Sequence, residues 1–267
     1  MKDIKYGFIG CGNMGAALAR AVCKSVGSEN VFVADKAEDK AQALVDELKC
    51  NLSNNKEICE KSNFIFLGVK PQIIKSALEE LAVVLKSRQD RFVLVSMAAG
   101  VEIAQISQML DADYPIIRIM PNTPVSVGEG MILYAANKNV LPSEIADFTN
   151  SLSFAGKSDM LDEGLINAGT AVSGCGPAFV YLFAEAMADA GVECGLPREK
   201  AIQYAAQTLL GASQLMLKTN KHPAVLKDEV CSPGGSTIEG VHALEDNGFR
   251  GTVFSAVKAS FDKTNKL

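Results

Sequence analysis

Apolar residues form short unbroken runs through the first half of the chain and helix-spaced stripes through the second. Lys5 to Ile9, Val31 to Ala34, Phe64 to Val69, Phe92 to Ser96, Ile116 to Met120 and Met131 to Ala135 read as strands, several of them apolar throughout, as strands buried on both faces are. Between them the pattern predicts a helix from about Ala16 to Ala21, and others over Lys40 to Leu48, Ile73 to Leu85 and Ile103 to Leu110. Such alternation implies an α/β domain, a mostly parallel, doubly wound sheet covered on both faces. Beyond about residue 162 no strand is predicted. Helices are expected over Gly164 to Val172, Pro177 to Ala190, Pro197 to Leu217, His222 to Val230, Ser236 to Asp246 and Gly251 to Lys263. The reading is therefore a sheet domain over 1–162 and an all-helical domain over 163–267.

The first strand runs straight into Gly10-Cys11-Gly12-Asn13-Met14-Gly15 and then into a helix. G-x-G-x-x-G in a strand–turn–helix setting is the dinucleotide-binding fingerprint of a Rossmann-type sheet. Gly10 permits the tight turn, Gly12 lets a pyrophosphate approach the backbone, and Gly15 packs helix on strand. The next strand closes on Asp35, about 20 residues on, where an acid accepts from the ribose 2′-hydroxyl of NAD and repels the 2′-phosphate of NADP. Lys36 beside it could answer that phosphate, so both cofactors stay open. Ligands of such sheets lie beyond the carboxyl ends of the strands. Gly68, Val69, Lys70 and Pro71, and Met97, Ala98 and Ala99, follow two of those ends and are expected to flank the cofactor. The proline-stiffened loop Met120-Pro121-Asn122-Thr123-Pro124 would bring Asn122 and Thr123 to the same edge.

The second half carries its own candidate. Ser232-Pro233-Gly234-Gly235-Ser236-Thr237 stands just before a helical pattern that begins near Ile238. The free amides of Gly235, Ser236 and Thr237 would sit at the positive end of a helix dipole, a place that binds carboxylates and phosphates. Taken alone, the same residues also suit an ordinary helix cap.

Composition narrows the field. The 267 residues carry a net charge of −5 with no basic stripe, which argues against nucleic acid and anionic membranes as partners. No apolar run is expected to reach the ~20 residues of a membrane span. Seven scattered cysteines without a C-x-x-C pair suggest reduced thiols in a cytoplasm, and two histidines are too few for a metal cluster, so no metal is expected. Phe179 to Ala184, with Ala186 and Met187, leave their helix almost no polar face, which implies burial against another subunit.

Together G-x-G-x-x-G, Met120-Pro121-Asn122-Thr123-Pro124, Ser173-Gly174-Cys175-Gly176-Pro177-Ala178 and the stretch Leu226 to Ile238 resemble the pyrroline-5-carboxylate reductase family over essentially the whole chain. The resemblance implies reduction of 1-pyrroline-5-carboxylate to L-proline with NADPH or NADH, the last step of proline biosynthesis. It implies an all-helical dimerisation domain after the sheet domain, interlocked homodimers and, as in many members, a decamer. It assigns Ile9, Gly10, Cys11, Gly12, Asn13 and Met14 to the cofactor pyrophosphate, and Asp35, Lys36 and Asn55 to the adenosine end. Gly68 to Pro71 and Met97 to Ala99 would line the ribose and nicotinamide. Gly235, Ser236 and Thr237 would bind the substrate, with the Thr237 hydroxyl as the catalytic contact to the ring nitrogen, and Glu163 would lie near the substrate. An acid at position 35 departs from NADP-preferring members, which commonly carry a small hydroxyl residue there.

Two rivals stay in view. A β-hydroxyacid dehydrogenase shares the domain order but needs a lysine on the first helix of its second domain, and Asn167 to Pro177 contains none. A dinucleotide-sensing protein without catalysis would have no use for the late glycine-rich helix start.

Overall fold

Among the described residues the six apolar runs, with two further short strands, form one sheet of eight: β1 (Tyr6–Ile9), β2 (Val31–Ala34), β3 (Asn51–Leu52), β4 (Phe64–Leu67), β5 (Val93–Ser96), β6 (Ile116–Pro121), β7 (Gly130–Ala136) and β8 (Gly156–Met160). Their order across the sheet is β3-β2-β1-β4-β5-β6-β7-β8. A computed structural model describes residues 4–266. The strands from β3 to β6 are mutually parallel, β7 runs antiparallel to β6, and β8 is parallel to β7. The connections are α1 (Asn13–Val26), α2 (Glu38–Leu48), α3 (Asn55–Lys61), α4 (Ile74–Ser87), α5 (Ile103–Leu110) and α6 (Pro142–Ser151).

Register decides where the chemistry gathers. Ile9 pairs with Ala34 on one side and with Leu67 on the other, and Leu67 pairs with Ser96. The next residues, Gly10, Asp35, Gly68 and Met97, therefore leave the sheet at one level. The chain order reverses between β1 and β4, which makes this edge the topological switch point where such sheets bind ligands. Both faces are packed. Phe8 stacks on Phe66 at 4.5 Å between ring centres, and Phe66 and Tyr134 meet Phe148 of α6. Ile65, Leu67, Leu94 and Ile116 meet Ile74, Leu78 and Leu85 of α4 and Ile106 of α5.

Four elements escaped the sequence reading. β3 has two residues, too few to show a period. β8 is an edge strand with Lys157 and Asp159 and a largely exposed side chain set, so it lacks the apolar signature of its neighbours. α3 and α6 are short and mostly polar, holding the domain through Ile58 and Cys59 in one and Phe148 in the other.

The chain divides into two compact units, the first running to Gly174 and regaining the residues from Phe261 onward, the second spanning Cys175–Ser260. Thus α7 (Ile166–Gly169) and a π-helical turn, Thr170–Gly174, pack with the sheet, where a single helix over Gly164 to Val172 was expected. The Asn167 amide donates to Asn265 Oδ1 at 3.0 Å, tying the returning C-terminus to this unit. The second unit holds α8 (Gly176–Glu193), α9 (Arg198–Thr219), α10 (Pro223–Val230), α11 (Ser236–Asp246) and most of α12 (Phe249–Thr264). Its buried hydrophobic cluster consists of Ala188, Ala201 and Ala205, while Tyr181, Leu182, Leu217 and Phe254 stand exposed. One expectation needs correction here: the helical stretch Glu163–Glu193, 31 residues long, is apolar enough to pass the length and composition test for a membrane span.

Candidate active site

In the first unit the glycine loop is shaped by contacts that only glycine allows. Gly10 has φ 103°, and a Cβ there would come within 2.7 Å of the Gly68 carbonyl; a Cβ on Gly68 would meet the Gly10 carbonyl at the same 2.7 Å. The β1 and β4 ends thus touch backbone to backbone, a role for Gly68 that no motif announced. A Cβ on Gly15 would sit 2.1 Å from the Gly10 carbonyl, so helix and loop are equally close. Gly12 differs, because a Cβ there meets nothing within 4 Å. The space over Gly12 is open, and it faces the start of α1, which no side chain caps. A helix of 14 residues with bare first-turn amides beside an unfilled cradle suits the pyrophosphate of a dinucleotide.

Asp35 holds this loop in place. Its Oδ2 accepts from the Cys11 amide at 2.6 Å and its Oδ1 from the Ala37 amide at 2.9 Å. Cys11 turns its thiol inward toward the Ala34 carbonyl at 3.5 Å. Burial, reinforced by the Asp35 carboxylate, pushes that thiol up to about 12, so it stays protonated and inert at neutral pH.

Two cavities flank the loop. One of about 930 Å³ is lined by Asp35, Lys36 and Asn55 of the sequence-expected set, together with Gln42, Ser53, Asn54 and others. The other, about 260 Å³, is lined by Met14, Gly68, Val69, Lys70 and Met97, joined by Met120 and Pro121. Their dimensions and polarity suit an adenosine end and a nicotinamide end respectively. Pro71 opens a one-turn 3-10 helix, Pro71–Ile73, and is not among the residues lining either cavity. Ala98 is buried in the core, Ala99 packs beside it, and Ile9 is likewise a core residue. In the Met120–Pro124 loop the cavity takes Met120 and Pro121, whereas Asn122 turns inward. Its amide donates to the Ser173 carbonyl at 2.9 Å and its Oδ1 accepts from the Met131 amide at 2.9 Å, pinning the π-helical turn to the sheet.

Glu163 sits in a charged contact invisible to the sequence reading. Its Oε1 accepts from the Ile103 amide at 2.7 Å and pairs with Arg118 Nη1 at 3.3 Å. Arg118, on β6, is 1% exposed; its second Nη donates to Asn167 Oδ1 at 3.1 Å. A lone arginine in an apolar strand was the available signal, since a buried guanidinium demands partners.

In the second unit α11 begins as the glycine-rich hexapeptide suggested. Gly234 takes φ 65° and Gly235 forms the N-cap, its amide donating to the Ser232 carbonyl at 3.0 Å. A Cβ on Gly235 would lie 2.4 Å from Ser232 Oγ. No side chain caps the helix, and Ser236 and Thr237 are exposed. An uncapped 11-residue helix with two hydroxyls in its first turn is competent to receive a carboxylate.

Residues 163–267 match a family model described as pyrroline-5-carboxylate reductase dimerisation, and residues 5–100 match one described as NADP oxidoreductase, coenzyme F420-dependent. The pyrroline-5-carboxylate reductase of Escherichia coli (strain K12) is 41% identical over 266 residues, covering 98% of both chains. The chain belongs to the pyrroline-5-carboxylate reductase family. Among solved pyrroline-5-carboxylate reductases, that of Coxiella burnetii superposes with a TM-score of 0.92 at 28% identity, covering 99% of this chain and 98% of the other. That of Plasmodium falciparum, with NADP bound, gives 0.85 at 35% identity, covering 100% and 98%. This member of the pyrroline-5-carboxylate reductase family is an NAD(P)H-dependent oxidoreductase of proline biosynthesis, reducing 1-pyrroline-5-carboxylate to L-proline.

Proposed function

We propose that the start of α11 is where this reductase grips its substrate, with the Ser236 and Thr237 amides on the carboxylate and the Thr237 hydroxyl on the ring nitrogen; the Gly235 amide, expected to be free, is spent on the Ser232 carbonyl, and Gly235 serves as the N-cap. The observation that carries this reading is the uncapped first turn of α11, set up by Gly234 and by the close Gly235–Ser232 contact. Gly10 to Met14 would hold the cofactor pyrophosphate, Asp35, Lys36 and Asn55 the adenosine end, and Gly68, Val69, Lys70 and Met97 the nicotinamide end, while Ile9, Pro71, Ala98 and Ala99 lie outside the lining of both cavities. When bound, a reduced nicotinamide supplies the hydride, which carries the hard chemistry. The chain's own residues then have two tasks. They fix a small anionic ring in the orientation that hydride transfer requires. They also orient its nitrogen: with the imine bound in its protonated form, hydride arrival at the carbon turns the iminium into an amine. Glu163 would stand near the substrate while its Oε1 answers Arg118.

Substitution of Thr237 tests the assignment. Thr237→Ala is expected to keep the fold and lose about 10- to 1000-fold in kcat/KM, the range for deleting one polarising donor. Turnover near that of the unsubstituted protein would refute it.

The oligomer belongs to the same proposal. The exposed apolar faces of α8, α9 and α12 would be covered by a second copy, giving a homodimer, and assembly could continue to a decamer. A cytoplasmic enzyme with no nucleic-acid or membrane partner fits its net charge of −5.

A further inference from the structure

We infer that Asp35 and the start of α2 make this chain select NADH over NADPH. The inference rests on reading the 930 Å³ cavity as the adenosine end. An adenosine 2′-phosphate differs from a hydroxyl by roughly two negative charges, so the fixed charge of the cavity decides between them. Four carboxylates line it, on Asp35, Glu38, Asp39 and Glu80, against the two ammonium groups of Lys36 and Lys56.

Asp35 is also firmly anchored. Asp35 accepts from the Cys11 amide at 2.6 Å and the Ala37 amide at 2.9 Å, so rotating it out of the way would break both bonds and release the glycine loop. The start of α2 would otherwise be the natural seat for a phosphate, at the positive end of an 11-residue helix. In this chain that end is already answered: Glu38 and Asp39 occupy its first turn, and the Ala37 N-cap amide is spent on Asp35. The opposing lysines are weaker contributors. Both are exposed, and the Lys56 ammonium stands 3.8 Å from Glu60 one turn along its own helix. Asp35 retains free lone pairs for a ribose 2′-hydroxyl, because each oxygen accepts only one amide.

Direct binding to the full chain free of cofactor tests this, by calorimetric titration of NADH and NADPH in turn. NADH is expected to bind about 10- to 100-fold more tightly at low salt, the scale of one close like-charge contact at intermediate dielectric. Raising the salt is expected to narrow the ratio, because screening relieves repulsion between the 2′-phosphate and the carboxylates. Asp35→Asn is expected to shift the ratio at least ~10-fold toward NADPH, chiefly through tighter NADPH binding. Should that variant not fold, Glu38→Gln with Asp39→Asn at exposed positions is expected to move the ratio in the same direction. Equal or tighter NADPH binding, or a ratio that widens with salt, would overturn the preference and leave the dinucleotide site standing. Failure of both nucleotides to bind would overturn the site itself and the preference with it.

Discussion

Gly12 and Gly15 lie three residues apart in one motif and answer to different physics. Gly15 is packed against the Gly10 carbonyl, so Gly15→Ala drives a Cβ into backbone and is expected to cost about 1–3 kcal/mol in urea unfolding, as overpacking does. Gly12 has empty space above it and an ordinary φ of −66°. Gly12→Ala is therefore expected to leave the melting temperature almost unchanged while weakening dinucleotide binding at least tenfold. A variant that unfolds without losing affinity would contradict that division of labour. Glu163 poses a related question. Removing its carboxylate in Glu163→Ala leaves the buried Arg118 without its counter-charge, with Asn167 still accepting from it, and is expected to cost about 2–4 kcal/mol, somewhat below a fully buried pair because Glu163 is partly exposed. Glu163→Gln keeps an acceptor for the Ile103 amide and should cost less, so a stability series on the two variants separates packing from any substrate role. The buried thiols give a pH signature. The Cys11 and Cys59 thiols are each raised by burial to about 12 from an ordinary value near 9. The folded state thus holds these protons more tightly than the unfolded chain. Their stabilising contribution is complete below about pH 9 and is lost as the pH rises toward 12. A melting temperature that climbed over that interval would contradict the sign.

Elements were legible where burial imposed a period. β1, β2, β4, β5, β6 and β7 appear close to their expected limits because each is an apolar run inside the sheet. The helix at α11 was legible for another reason: glycine, serine and threonine mark a helix start by their backbone chemistry, whatever is packed around them. β8 and α6 were not legible, since their polar residues face outward and only partners distant in the sequence stabilise them. The antiparallel turn of β7 was also hidden, because strand direction depends on the connection and not on the run of residues. Arg118 shows the same limit within a single strand. The expectation of a buried β6 was sound, but the acceptors that make burial of its charge tolerable come from Glu163 and Asn167, far along the chain.

At the scale of the whole molecule the two units differ in how they are sustained. The sheet unit buries aromatic and branched side chains on both faces and has the core of an independent domain. The helical unit buries three alanines in its cluster and leaves Tyr181, Leu182, Leu217 and Phe254 between 63% and 75% exposed. Apolar surface on this scale is expected to be covered by a second copy. Leu182→Lys or Phe254→Asp is accordingly expected to yield smaller particles in sedimentation at micromolar protein, with loss of helical stability; an unchanged particle would place the interface elsewhere.

The role proposed for the amides opening α11 is to hold the substrate's carboxylate. The most direct test is a crystal structure of the protein with L-proline bound. The proline carboxylate is expected within hydrogen-bonding distance of the Ser236 and Thr237 amides, with the ring nitrogen at the Thr237 hydroxyl. Proline seated away from α11, with those amides facing solvent, would contradict it.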